Sequence, residues 1–295
     1  MSNSAGVSNG AGLSSVAVLD GAALDAVIAL VRTHTGIAMN GHKRALLEAR
    51  LGPRLRALAV GYPEYVQRVH AGGAEVQLFI NAVTTNDTVF FRTPAVWTYF
   101  STQFLPEWQV RSGGACLRIW SAAAASGEES WSIAMLCHQF QQRHPSFRYQ
   151  IHGTDIDTAM VAACRAATYS TRSAEQLRAS QPALVERYFT DDGVRMTVRP
   201  ALTGQAQFSQ HNLLAPMASM TRFDLVFLRN VLIYFDEDSQ RQVLGQVRRQ
   251  MAPDAVLLLG EQESITRLGT PFVFTQQHVY ARGADALQAM GAHHG

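Results

Sequence analysis

The chain has 295 residues, 47% of them hydrophobic and 16% charged, with a formal net charge of +2. That length allows two domains or one large α/β unit, and the composition is that of an ordinary soluble globular protein. The charge is too mild to imply a nucleic-acid partner, and no segment is apolar for long enough to insert into a membrane.

Residues 1–19 are rich in Ser, Gly and Ala, lack the basic start and apolar stretch of a signal peptide, and read as a flexible tail. Residues 283–295 read likewise. Cys116, Cys137 and Cys164 are odd in number and lack metal-ligand spacing, so no metal is expected and a reducing cytoplasm is. Residues 20–83 predict an all-helical domain. Leu24, Val27, Ile28 and Val31 share one helical face, as do Leu47, Leu51, Leu55 and Leu58, and again Val76, Phe79, Ile80 and Val83. The second stretch carries Lys43, Arg44, Arg50, Arg54 and Arg56, a basic face that is either solvated or a docking surface for an acidic partner. Gly52-Pro53 is expected to kink or interrupt that helix. Residues 84–94 form a connector whose Phe90 and Phe91 need something to pack against.

Residues 95–282 carry an α/β pattern. Strands are expected over 116–122, 149–154, 207–211, 223–228 and 255–260, and helices over 128–142, 158–167 and 239–251. Such alternation argues for a parallel, doubly wound sheet. Ala252-Pro253-Asp254 should stop the last helix, and residues 272–274 and 278–281 should close the sheet as an antiparallel pair. Residues 171–206 read as irregular, with a hairpin around Asp191-Asp192-Gly193.

Chemistry gathers at the strand ends, where open α/β sheets bind ligands. The first strand ends in small residues, Ala122 to Ala125, then Gly127 and the acids Glu128 and Glu129. This is neither GxGxxG nor a phosphate loop, and paired acids suit a cationic group better than a pyrophosphate. A plain helix start with first-turn acids accounts for Glu128 equally well. The second strand ends in Asp155 and Asp157, one suited to ribose hydroxyls and the other to a helix cap. The apolar run 223–228 breaks at Arg229-Asn230, with Tyr234 beyond. Either these sit at a site, or Asn230 turns the chain and Tyr234 packs. Together the strand ends point to an adenosyl ligand with a positive charge and no phosphate, which S-adenosylmethionine fits better than NAD or ATP.

Thr85-Asn86-Asp87-Thr88-Val89-Phe90-Phe91-Arg92, Trp120-Ser121-Ala122-Ala123 with Gly127-Glu128-Glu129, Thr154-Asp155-Ile156-Asp157, Asn212-Leu213-Leu214 and the stretch from Arg229 to Asp236 follow in one order. That series resembles the CheR-type chemotaxis receptor methyltransferases over about residues 20–282. The resemblance implies a helical N-terminal domain and a Rossmann-like S-adenosylmethionine-dependent methyltransferase domain, with a small antiparallel β-subdomain inserted at about 185–206. It implies O-methylation of glutamate side chains on the cytoplasmic helices of methyl-accepting chemoreceptors, leaving S-adenosylhomocysteine. It also implies cofactor contacts from Asn86, Thr88, Arg92, Glu129, Asp155, Asn212, Leu213, Arg229 and Asn230. Arg92 and Tyr234 would act at the transferring methyl group, and Arg50, Arg54 and Arg56 would dock the substrate. A glutamate is already ionised at neutral pH, so no general base is required.

Departures from the family pattern are Ala125-Ser126 before the glycine, Ser130-Trp131 after the acids, and Glu261-Gln262-Glu263 for a His-Ser-Glu pattern. The loop at 190–193 is short beside members that bind a receptor's C-terminal tether, which argues against tether binding. A methyltransferase for another acceptor and a non-catalytic module that binds S-adenosylmethionine or a receptor are the alternatives. A monomer is the default.

Overall fold

The computed structural model describes residues 19–170, 172–218 and 222–283. The two expected tails lie outside these residues, apart from Gly283 and from Leu19, which is fully buried in the helical core. Four helices come first: α1 (Gly21–Thr35), α2 (Arg44–Leu58), α3 (Tyr62–His70) and α4 (Ala74–Val83). Asp20 caps α1 by accepting from the Ala23 amide. The apolar stripes meet in one core that holds Val27 and Val31 of α1, Leu47, Leu51 and Leu55 of α2, and Phe79 and Val83 of α4. The expected break at Gly52-Pro53 does not occur, and α2 runs through Pro53. Gly52 has no Cβ to clash with the proline ring, and the buried leucines on both sides hold the helix across the lost hydrogen bond.

After the connector come α5 (Pro94–Tyr99), a π-helical turn (Phe100–Phe104) and α6 (Leu105–Arg111). Then follow β1 (Leu117–Ala122), α7 (Glu128–Arg143), β2 (Tyr149–Asp155) and α8 (Thr158–Ala166). The segment expected to be irregular is mostly ordered. β3 (Thr168–Tyr169) precedes it, and it holds α9 (Arg172–Ser180), α10 (Pro182–Tyr188), β4 (Phe189–Asp191), β5 (Met196–Val198) and α11 (Pro200–Thr203). These helices are too short to show a stripe in the sequence; α9 buries only Ser173, Ala174 and Leu177. β3, β5 and β4 form a separate three-stranded antiparallel sheet.

The chain continues through β6 (Ala206–Gln210), β7 (Phe223–Leu228), a 3₁₀ turn (Leu232–Tyr234), α12 (Glu237–Gln250), β8 (Met251–Leu259), β9 (Val273–Gln276) and β10 (Val279–Ala281). The helix ends at Gln250, close to the expected stop, but residues 252–254 are already strand, because the chain passes from α12 straight into β8. Pro253 is tolerated there because pairing with β7 slips between Phe223 and Leu225, opening a bulge that needs no donor from the proline.

The main sheet has the order β6-β2-β1-β7-β8-β10-β9, parallel except for the pairs that β10 makes. Alternating side chains feed two cores. Ile119, Leu225 and Phe227 pack with Trp97, Phe100 and Phe104 on one face, while Trp120, Val226 and Leu228 pack with Val243, Leu244 and Val247 of α12 on the other. From β1 the chain winds outward through β2 and β6, then returns to β7 on the opposite side of β1. That reversal opens a crevice beyond the carboxyl ends of β1 and β7.

The helical domain closes over this crevice. The Ala38 amide donates to the Tyr234 carbonyl at 2.8 Å, and Ile37 bridges to Phe235. Arg32 pairs with Asp236 at 2.5 Å, and Asn81 Nδ2 donates to Thr158 Oγ1 at 2.9 Å. The expected connector is packed as its phenylalanines require, with Phe90 edge-on to Tyr169 and Phe189, and Phe91 edge-on to Trp97.

Candidate active site

The crevice is a cleft with about 980 Å³ of empty space, open solvent at its mouth included. Asn86, Thr88, Arg92, Glu129, Asp155, Asn212, Leu213, Arg229, Asn230 and Tyr234 all line it. Sequence reasoning missed Thr35 and Ile37, which the helical domain contributes to the same wall. Their position depends on how two domains meet, which no local pattern encodes.

The floor is the β1–α7 turn. Ala123 (φ 64°), Ala125 (φ 47°) and Gly127 (φ 97°) all adopt positive φ. For alanine this conformation costs roughly 1–2 kcal/mol, so surrounding bonds must impose it. The Ala124 amide donates to the Thr154 carbonyl, and the Ala125 amide to Asp155 Oδ2, each at 2.8 Å. At Gly127 a side chain would stand 3.1–3.2 Å from Cys164, Tyr169 and Trp131, so the turn is closed to larger residues. Methyl-sized side chains leave the floor open to a ligand.

Asp155, at the β2 tip, is buried and accepts the Asp157 amide through Oδ1 as well as that of Ala125. Burial pushes its carboxyl up to about 6, against the pull of these backbone donors. Asp157 caps α8 through the Ala159 amide and accepts from Asn86 Nδ2 at 2.8 Å and Thr84 Oγ1 at 3.1 Å. The cap therefore also ties the connector to β2.

Glu129 accepts from Ser121 Oγ at 2.8 Å and from Arg229 Nη1 at 2.9 Å. Burial outweighs both partners and raises its carboxyl above the usual range. Arg229 also donates to the Arg92 carbonyl at 2.7 Å and lies over the Trp97 ring at 5.6 Å. Glu128 turns away from the cleft, held by Ser126 and Ser173, so its part is structural. Asn230 takes a left-handed conformation (φ 58°) and also lines the cleft. Asn212 accepts the Leu214 amide and donates to the His34 carbonyl, fastening the loop after β6 to the helical domain.

Arg50, Arg54 and Arg56, expected to dock the substrate, do not line the cleft. Arg54 makes a bidentate pair with Glu75, and Arg56 is exposed. Arg50 donates to the Val83 carbonyl at 2.6 Å and Thr85 Oγ1 at 2.9 Å, and burial lowers its pKa.

Buried carboxylates at the tips of β1 and β2, a floor of methyl groups, and first-turn acids where a pyrophosphate would need a bare helix end suit an adenosyl ligand that bears a cation. Fold and cleft define a Rossmann-like S-adenosylmethionine-dependent methyltransferase. Comparison with known proteins narrows the class. Residues 22–84 match the CheR methyltransferase all-alpha domain, and residues 86–281 its SAM binding domain. Chemotaxis protein methyltransferase 1 of Pseudomonas aeruginosa is 33% identical over 82% of this chain and 89% of its own length. The chemotaxis protein methyltransferase of Salmonella typhimurium is 34% identical over 87% of this chain and 88% of its own. The chain belongs to the CheR methyltransferase family.

Replacing Arg229 with Met leaves Glu129 buried without its cation, which should cost about 3–5 kcal/mol of stability. A lower urea midpoint checks this, and Glu129→Gln in the same chain should recover part of the loss.

Proposed function

We propose that the protein transfers the methyl group of S-adenosylmethionine to glutamate side chains on the cytoplasmic helices of bacterial chemoreceptors, giving glutamyl methyl esters for sensory adaptation. The observation that carries this reading is Arg92. It lines the cleft, and its Nη1 donates to the Asp87 carbonyl at 3.0 Å. A fixed cation in the cleft recognises an acceptor that arrives as an anion. The relatives' names, chemotaxis protein methyltransferase, support the same acceptor.

Within this reading Asp155 accepts ribose hydroxyls, and Glu129 takes the cofactor's ammonium group. Asn212 and Leu213 border the adenine. Thr88 and Asn86 hold the connector against the ligand, and Arg229 and Asn230 border it from the tip of β7. Arg92 and Tyr234 orient the incoming carboxylate. The bound cofactor supplies an electrophilic methyl on a sulfonium, and the protein's task is alignment. Such orientation can lower a barrier by roughly 7–11 kcal/mol. No proton has to move, because the acceptor is ionised. The exposed Lys43, Arg44 and Arg56 steer acidic receptor helices towards the cleft. Arg54, already matched by Glu75, adds little to that field.

Labelled methyl transfer to a purified receptor cytoplasmic fragment, followed by mild base, tests the reaction. Base-labile label is expected; base-stable label would show a different acceptor atom. Tyr234→Phe should lose turnover while keeping most cofactor affinity, and wild-type turnover would remove Tyr234 from the mechanism. Because the free Asp155 carboxyl titrates near 6, it is ionised and able to accept above that pH and neutral below it. S-adenosylhomocysteine affinity, read by calorimetry, should fall up to about tenfold per pH unit below 6, and Asp155→Asn should flatten that profile.

A further inference from the structure

Glu263 lies outside the cleft lining, yet its buried carboxylate collects four backbone amides. Oε2 accepts from Gly260 and Asn230, each at 2.7 Å, and Oε1 accepts from Val231 at 2.8 Å and Leu232 at 2.7 Å. Three of these donors are consecutive residues just past β7. Successive amides aimed at one anion form a nest, which ordinarily holds a ligand; here the protein supplies the anion itself. The held segment contains Asn230, whose left-handed conformation a side chain resists, and leads within two residues of the nest to Tyr234. Gly260 completes the arrangement. A Cβ there would meet Glu263 Oε2 at 2.6 Å and the Asn230 amide nitrogen and Nδ2 at 2.8 Å.

We propose that Glu263 is a positioning residue for methyl transfer. Its carboxylate folds the 230–232 turn so that Asn230 faces the cofactor and Tyr234 faces the acceptor, while Glu263 touches neither. The inference rests on the roles given above to Asn230 and Tyr234. An ionised carboxylate is required, since only two acceptor oxygens with free lone pairs satisfy four donors. Glu263→Gln preserves size but turns an NH₂ group towards two N–H groups.

In the folded full-length variant, S-adenosylhomocysteine Kd should rise about tenfold and kcat should fall about a hundredfold, with acceptor KM within about threefold of wild type. In a Tyr234→Phe background the same change should cost less than about threefold further in kcat, because both act through one residue. Wild-type affinity and kcat within about twofold, or a full multiplication of the two losses, would overturn the proposal. A purely structural role would lower thermal stability without that pattern. If Glu263→Gln does not fold, Gly260→Ala displaces the carboxylate without removing it and is read the same way. If the wild type transfers no methyl to receptor fragments, the acceptor reading fails by itself. The S-adenosylhomocysteine affinity then still decides on Glu263, and an unchanged value counts against it.

Discussion

Arg229 leaves the tip of β7 almost wholly buried, and its charge is met inside the protein by Glu129 of α7. A second bond to the Arg92 carbonyl and the Trp97 ring beneath it join the connector and α5 to the same point. Sheet, helix and connector therefore converge on one guanidinium. A planar fork of donors suits this task, because it can bond in two directions while stacking on an aromatic face. The pair is poor evidence for stability as such, since desolvation consumes most of its attraction. Its consequence is geometric, because a wall held by paired buried charges has few alternative arrangements.

The same principle recurs along the sheet's carboxyl edge. Asp155 restrains the β1–α7 turn through Ala125, Asp157 holds the connector through Asn86 while capping α8, and Glu263 gathers the turn after β7. Loops at strand ends have backbone amides with no sheet or helix partner, and a buried amide must find an acceptor. Here acidic side chains from neighbouring elements provide it. Positive φ angles at Ala123, Ala125 and Asn230 persist because these bonds over-determine them. The protein's own bonds hold the cleft in shape, which reduces the ordering that binding would otherwise cost.

The helical domain is part of the site as well as a neighbour of it. Thr35 and Ile37 reach the cleft wall, and the Ala38 amide fixes the backbone of Tyr234. Arg50 is set by Val83 at the end of α4 and Thr85 of the connector rather than by its own helix, so the basic face of α2 is not one uniform surface. Arg54 is neutralised by Glu75, Arg56 is exposed, and Arg50 ties α2 to the start of the connector. An isolated helical wheel of α2 cannot distinguish these three.

The apolar periods of α1, α2 and α4 and the run Phe223–Leu228 were legible because a buried stripe or a doubly covered strand needs a fixed spacing of apolar residues. The strand ends were legible too, since Gly127, Asp155 and the Arg229-Asn230 break occur where a parallel sheet must open. Short helices such as α9 were not, because two or three buried residues make no period, and the passage of α12 into β8 was hidden by a proline that a bulge accommodates. What the sequence by itself determined is the order of elements and the residue types at each strand tip, both of which are local consequences of side-chain chemistry. Which carboxylate holds which loop, that Glu263 serves the turn of Asn230, and that Arg50 bonds Val83 and Thr85 were decided only by the tertiary structure. Each of those contacts joins residues distant in the chain, and it exists only once sheet and helical domain have packed and excluded water from between them.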